Sequence, residues 1–114
     1  MRVLTWNVQT ARPNPDGPPD VDRAVARLRE LDADVVALQE LDRGLRRSGR
    51  VDQAEAIALG LGGHLVWAPT VRRAGGWYGH GLVVVHGEVA RTHDVALGGT
   101  REPRVLLVAE VDLG

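Results

Sequence analysis

Apolar and polar positions change period along this chain, and the changes mark its elements. From Arg2 to Gln9, Val3, Thr5 and Asn7 alternate with Leu4, Trp6 and Val8, in residue types that suit a pleated, half-buried surface; this predicts a first strand. Arg12–Pro19 holds four of the six prolines and Gly17, so it is expected to be an irregular loop. Val21, Ala24, Val25, Leu28 and Leu31 then fall at helical spacing behind Asp20, which is placed to cap the free N–H groups. Asp34–Glu40, DVVALQE, is a short apolar run that ends on Gln39 and Glu40, the pattern of a buried strand delivering a carboxylate at its C-terminal end. Arg2–Glu40 is therefore expected to be a β-α-β unit with parallel strands, which puts Asn7 and Glu40 near the same sheet edge.

Further along, Leu41–Arg50 is polar and Arg-rich, with the chain's one serine, and is expected to loop over the strand tips. Asp52 and Glu55 have capping-box spacing, the Glu reaching back, and open a second helix that runs to about Leu61 and stops at Gly62-Gly63. His64–Pro69 is predicted as a third strand, Val71–Gly79 as a flexible loop and His80–His86 as a fourth strand, with Leu82–Val85 buried on both faces. Glu88–Gly99 is expected to hold a short strand or a turn region around Val95–Leu97, and Arg104–Asp112 another strand. No repeat or linker breaks the chain, so one α/β unit is expected: a mixed sheet with two helices on one face.

Composition narrows the class. At 114 residues, 44% hydrophobic and 25% charged, the chain can bury one modest core. It has no cysteine, so disulfides and thiolate metal sites are excluded, and any metal must be held by oxygen or imidazole. The net charge is −1 and the longest basic blocks are Arg46-Arg47 and Arg72-Arg73; nucleic acid stays open as a substrate but is not favoured. No apolar run is long enough to span a bilayer and the N-terminus turns polar early, which makes a cytoplasmic location the expectation. All 14 basic residues are Arg, a bias read as genomic background.

WNVQ at Trp6–Gln9 followed by LQE at Leu38–Glu40 resembles the N-terminal signature of the endonuclease/exonuclease/phosphatase superfamily of metal-dependent phosphoesterases. QAEAIALGLG at Gln53–Gly62 looks like its second helix. YGHGLVVV at Tyr78–Val85 looks like a strand where many relatives read Tyr-Gly-Asn, and EPRVLLVAEVDL at Glu102–Leu113 like the strand that follows. The resemblance implies the N-terminal half of a four-layered α/β sandwich, with Mg²⁺ or Mn²⁺ as cofactor and a phosphate ester as substrate. It implies that Glu40 is the metal ligand, Asn7 the supporting catalytic and metal-site residue, and Tyr78 and His80 substrate contacts. The physical chemistry agrees, since Mg²⁺ takes hard oxygen ligands and keeps several waters, while an Asn meets a phosphate oxygen without adding negative charge.

Other readings of these residues stand beside this one. Trp6 is expected to pack in the core; His80 is as well explained by a structural hydrogen bond. Trp77 and Tyr78 line the site or anchor a Gly-rich loop, and Arg72 and Arg73 attract phosphate or are merely solvated. Gln9 stands where nucleases of the superfamily often have Asp, which argues against an abasic-site endonuclease. The superfamily's Gly-Asp-Phe-Asn and Ser-Asp-His segments are not in the sequence, which contains no Phe. The 114 residues are therefore expected to be a partial domain, inactive or nearly so alone, and to self-associate through a sheet face the helices leave bare. The alternative is a non-catalytic α/β interaction module that has kept the scaffold.

Overall fold

The computed structural model describes residues 1–98 and 102–114. Strand β1 (Val3–Asn7) leads through the proline loop to helix α1 (Val21–Leu31) and returns as β2 (Val35–Arg43), parallel to β1 from Val3 opposite Val35 to Asn7 opposite Gln39. The Asp20 carboxylate accepts from Arg23 N–H at 3.0 Å, as its position before the apolar spacing requires, and Ala24, Val25 and Leu28 are the buried stripe. Helix α2 (Gln53–Leu61) is capped by Asp52, which accepts from Glu55 N–H at 3.0 Å. The reciprocal bond expected from Glu55 does not complete a capping box; the Asp52 carboxylate is shared instead with the Arg43 guanidinium, at 2.8–3.0 Å.

Strands β3 (His64–Arg73) and β4 (Gly76–Val84) form an antiparallel hairpin, and β4 also pairs antiparallel with β2, giving the order β1-β2-β4-β3. This is the mixed sheet the pattern predicts. One face carries Leu4, Trp6, Val36, Leu38, Val83, Leu65 and Trp67 and packs under both helices. Trp6 is half-buried and packs against this core. Strands β5 (Glu88–Gly98) and β6 (Arg104–Asp112) make a second, two-stranded antiparallel sheet.

Four expectations need correction. The segment Val71–Gly79 is not a loop: β3 and β4 run on through it and turn at Ala74-Gly75, where Gly75 has φ +84°, so β4 starts at Gly76 rather than His80. Strand β2 likewise continues to Arg43, and only the turn Arg46–Ser48 and its flanks loop over the tips. Strand β1 ends at Asn7, because Gln9, Thr10 and Ala11 all take positive φ. Strand β5 is eleven residues long instead of a short strand or turn; Gly99, the end of that expected stretch, lies outside the described residues. The face away from the helices is also less bare than expected, since β6 lies against β3 and Val35, Val66, Ala68 and Val84 are buried.

Candidate functional site at the tips of the first two strands

Between Leu38, opposite Gly81, and Leu41, opposite Gly79, β2 places two residues against the single residue His80 of β4. The extra residue is a β-bulge, and it has a cause in the sequence. With strict alternation Leu41 would point away from the helices, whereas the bulge returns it to the core, where it is wholly buried. Glu40 absorbs the change by adopting φ +59°. A left-handed conformation is uncommon for a residue with a β-carbon and marks a place where surrounding structure overrides local preference.

A second strained segment lies alongside. After Asn7 the chain makes a left-handed turn at Gln9, Thr10 and Ala11, with φ of 51°, 54° and 57°. The turn is stitched to β2 by Val8 N–H donating to Gln39 C=O at 3.1 Å and Thr10 N–H donating to Glu40 C=O at 2.7 Å. Asn7 is exposed at the end of β1; its Oδ1 accepts from Gln9 N–H at 3.1 Å, and its side-chain NH₂ has no partner among the described residues. Gln39, opposite Asn7, donates to Thr5 Oγ1 at 3.0 Å. Of the two residues singled out in the sequence, Asn7 thus ends β1 and Glu40 lies on the bulge of β2, one position past the residue opposite Asn7.

Tyr78 and His80 come from β4 to the same region. The Tyr78 phenol is pushed up to about 12, first by burial and then by the Glu40 carboxylate, with Glu102 acting in the same sense and Arg47 opposing. Its ring lies 5.3 Å beneath the Arg47 guanidinium. His80, facing the bulge, is half-buried, and burial lowers its pKa, so the neutral imidazole is favoured. Arg72 stacks on Trp77 at 5.3 Å at the far end of the hairpin, beside a concavity that also takes in Arg43 and Trp67; it does not reach the Glu40 tip. A cleft of about 570 Å³ runs along the open edge of β1, bounded by Trp6, Asn7 and Gln9 on one side and Arg23, Ala24 and Arg27 of α1 on the other. Asn7 stands at its rim.

A polar cluster behind the tip was not foreseen from the sequence. Asp42, fully buried, accepts from Arg47 at 2.7 and 2.8 Å and from Ser48 Oγ at 2.6 Å. Burial alone would raise its pKa, but the bonds from Arg47 and Ser48 and the positive charge of Arg47 and Arg12 outweigh it, and the carboxyl sits below its ordinary value. Arg12 donates to Arg47 C=O at 2.6 Å and to the hydroxyls of Ser48 and Thr10. Gln53, also fully buried, accepts from Asp42 N–H at 3.0 Å and donates to Thr10 C=O at 2.8 Å. The one signal in the sequence was apolar Leu41 and Leu45 flanking Asp42 inside a stretch that otherwise looks solvated.

Asn7, Glu40, Tyr78 and His80 offer oxygen and nitrogen donors. Among the described residues no three His, Cys, Asp or Glu side chains gather closely enough to cage a metal by themselves. A carboxylate with an open aqueous side suits a hard cation that keeps its waters and shares its coordination with a phosphate. Such a donor set could hold a hard divalent cation, with Glu40 the carboxylate available to it.

A mixed four-stranded sheet with two helices on one face defines the chain as an α/β protein. The sequence model of the Endonuclease/Exonuclease/phosphatase family matches residues 4–102, and the chain belongs to that family. Among solved structures it is similar to the endonuclease/exonuclease/phosphatase from Beutenbergia cavernae DSM 12333, with 28% identity and a TM-score of 0.77. The alignment covers 97% of this chain and 34% of that one, so the chain spans about a third of the length of this solved relative. Among curated proteins there is no match.

Proposed function

We propose that the chain is the cation-holding part of a divalent-metal-dependent phosphoesterase, of phosphodiesterase or phosphatase type. In this reading Glu40 holds Mg²⁺ or Mn²⁺ and Asn7, from the adjacent strand, turns its free NH₂ to a phosphate oxygen or metal-bound water. The bound cation supplies charge neutralisation at the phosphate. Tyr78, protonated at neutral pH, braces the Glu40 carboxylate or donates to the ester, and the neutral His80 provides a further polar contact. The observation that carries the reading is Glu40 itself: a carboxylate held at positive φ on the bulge of β2, one position past the last pair that β2 makes with β1, the strand that ends in Asn7. Family membership supports hydrolase chemistry; the ion, the ester and a cytoplasmic location are our proposals.

One carboxylate and one carboxamide bind a cation without supplying the other groups of a hydrolase, so the 114 residues alone are expected to hydrolyse bis(p-nitrophenyl) phosphate no faster than buffer. Self-association through exposed sheet surface belongs to the same picture. The deciding experiment is calorimetric titration of the chain with Mn²⁺: one saturable site is expected, and Glu40→Gln is expected to abolish it. Binding that survives Glu40→Gln, or its absence in the unmutated chain, removes the metal-site reading and leaves the non-catalytic module.

A further inference from the structure

We propose that Gln53 is a positioning residue for the site, a clamp that holds the two strained backbone segments carrying Glu40 and Asn7 in one fixed arrangement. The inference rests on the reading of Glu40 as a cation ligand only for its functional consequence; the clamp itself is geometric.

Gln53 opens α2, and its side chain is wholly enclosed. Its two polar atoms divide between the two segments. Oε1 accepts from the N–H of Asp42, two residues beyond Glu40, at 3.0 Å, and Nε2 donates to the C=O of Thr10, three residues beyond Asn7, at 2.8 Å. Neither partner has a strand beside it on the side that faces Gln53. Asp42 pairs with Tyr78 of β4 on one side but lies beyond the last β1–β2 pair, Asn7 with Gln39, on the other, and Thr10 is the middle of three consecutive left-handed residues. No regular element can satisfy these groups, and each would be costly to bury unpaired. One carboxamide, with a donor and an acceptor on the same rigid plane, satisfies both.

The clamp has its own support. Thr10 N–H donates to Glu40 C=O at 2.7 Å, so fixing Thr10 fixes the peptide of Glu40. Arg12 joins Thr10 to Ser48 and to the carbonyl of Arg47, and Arg47 and Ser48 both bond Asp42. The contacts close a ring from Gln53 through Thr10, Arg12, Ser48 and Asp42 back to Gln53. Three left-handed residues and a left-handed Glu40 persist only where the surroundings over-determine them. Among the described residues, Gln53 is the one side chain that bonds both stretches at once. A carboxylate held on such a frame keeps its orientation when a hydrated cation arrives, the role that outer groups play in metal sites, where their loss typically costs about 10- to 100-fold in affinity.

The test uses the full 114-residue chain, isotopically labelled, with Gln53→Met to keep the volume and remove both bonds. Gln53→Asn keeps an amide one methylene too short to span both partners, and Ile57→Val loosens the same helix without touching the clamp. Two readouts are taken: the backbone ¹³C shifts of Glu40, which report its left-handed conformation without any metal, and the Mn²⁺ affinity. The expected result is that both Gln53 variants move the Glu40 shifts toward extended values and weaken Mn²⁺ binding about ten-fold, with Ile57→Val changing neither. Folded Gln53 variants with unmoved Glu40 shifts overturn the clamp. An unmutated chain that fails to bind Mn²⁺ overturns the metal reading alone, because the shifts still decide the clamp. Should both variants fail to fold, the unmutated chain decides: side-chain amide protons of Gln53 that exchange with solvent as fast as those of the exposed Gln9 overturn it, and strong protection upholds it.

Discussion

Glu40 carries a conformational cost that can be measured. A left-handed residue with a β-carbon is disfavoured by roughly 1–2 kcal/mol, whereas placing Gly in a strand costs about 0.5–1 kcal/mol in chain entropy. The strain is the larger effect, so Glu40→Gly is expected to leave the thermal midpoint unchanged or raised, while Thr5→Gly in β1, where no strain is relieved, lowers it. A Glu40→Gly chain that melts well below the parent would show that the carboxylate, not the backbone, stabilises the bulge. The buried Asp42 sets up an asymmetric comparison. Arg47→Ala strands an enclosed carboxylate and is expected to cost about 3 kcal/mol. Asp42→Asn removes the buried charge and leaves a half-exposed guanidinium that can turn to water, for about 1 kcal/mol. The sign of the pH dependence follows. Folding lowers the Asp42 pKa from its usual 3.8, so the unfolded chain binds its proton first as acid is added. The contribution is complete above that value and is lost as pH falls through the folded pKa. Urea titrations below pH 4 are expected to show a shallower loss of stability in Asp42→Asn than in the parent.

Among the elements, what could be read in the sequence was whatever obeyed one period. The apolar spacing of α1, the alternation in β1 and the run Val35–Leu38 are each explained by a single buried face, and the parallel pairing of β1 with β2 followed from them. The end of β2 was misread because Leu38 and Leu41, three apart, share a face only if a bulge intervenes, and no local pattern announces one. The β3–β4 extension was misread for a different reason: its side chains are held by stacking, Arg72 on Trp77, rather than by a core, so no alternation survives in Val71–Gly79. Strand β5, solvent-exposed along nearly its whole length, had no inner face to report. The helix pair makes a prediction with a definite sign. Gly60 in α2 lies where an added β-carbon would stand 2.7 and 2.9 Å from the two methyls of Val25 in α1. Helix propensity alone favours Gly60→Ala by about 1 kcal/mol, but β-branched Val25 cannot rotate aside, and overpacking costs about 1–3 kcal/mol. Gly60→Ala is expected to destabilise in chemical denaturation, and adding Val25→Ala to recover part of the loss; independent effects in the double variant would mean that the helices separate freely.

At the scale of the whole molecule the two sheets differ in how they are finished. The four-stranded sheet is covered by helices on one face and partly by β6 on the other, whereas β5 and β6 pair only with each other and rest on β3. A two-stranded sheet is marginal in water unless something packs on it. Here Leu97 is 60% exposed, Leu106 49% and Val95 43%, and Val3 on the open β1 edge is 60% exposed. Unpaired strand edges bearing apolar side chains are templates for further pairing. The charged pair Arg91–Glu110, exposed on the same hairpin, acts the other way, since a second copy would have to desolvate or displace it. Surface ion pairs contribute at most about 1 kcal/mol, whereas burying two or three such side chains contributes several at roughly 1.5–3 kcal/mol each, so association is expected to win. Sedimentation velocity should then show a concentration-dependent shift to dimers or larger species, and Leu97→Asp combined with Leu106→Asp should return the chain to monomer. A parent chain that sediments as a single monomer at all concentrations would mean that the second hairpin is stabilised by its contact with β3 alone.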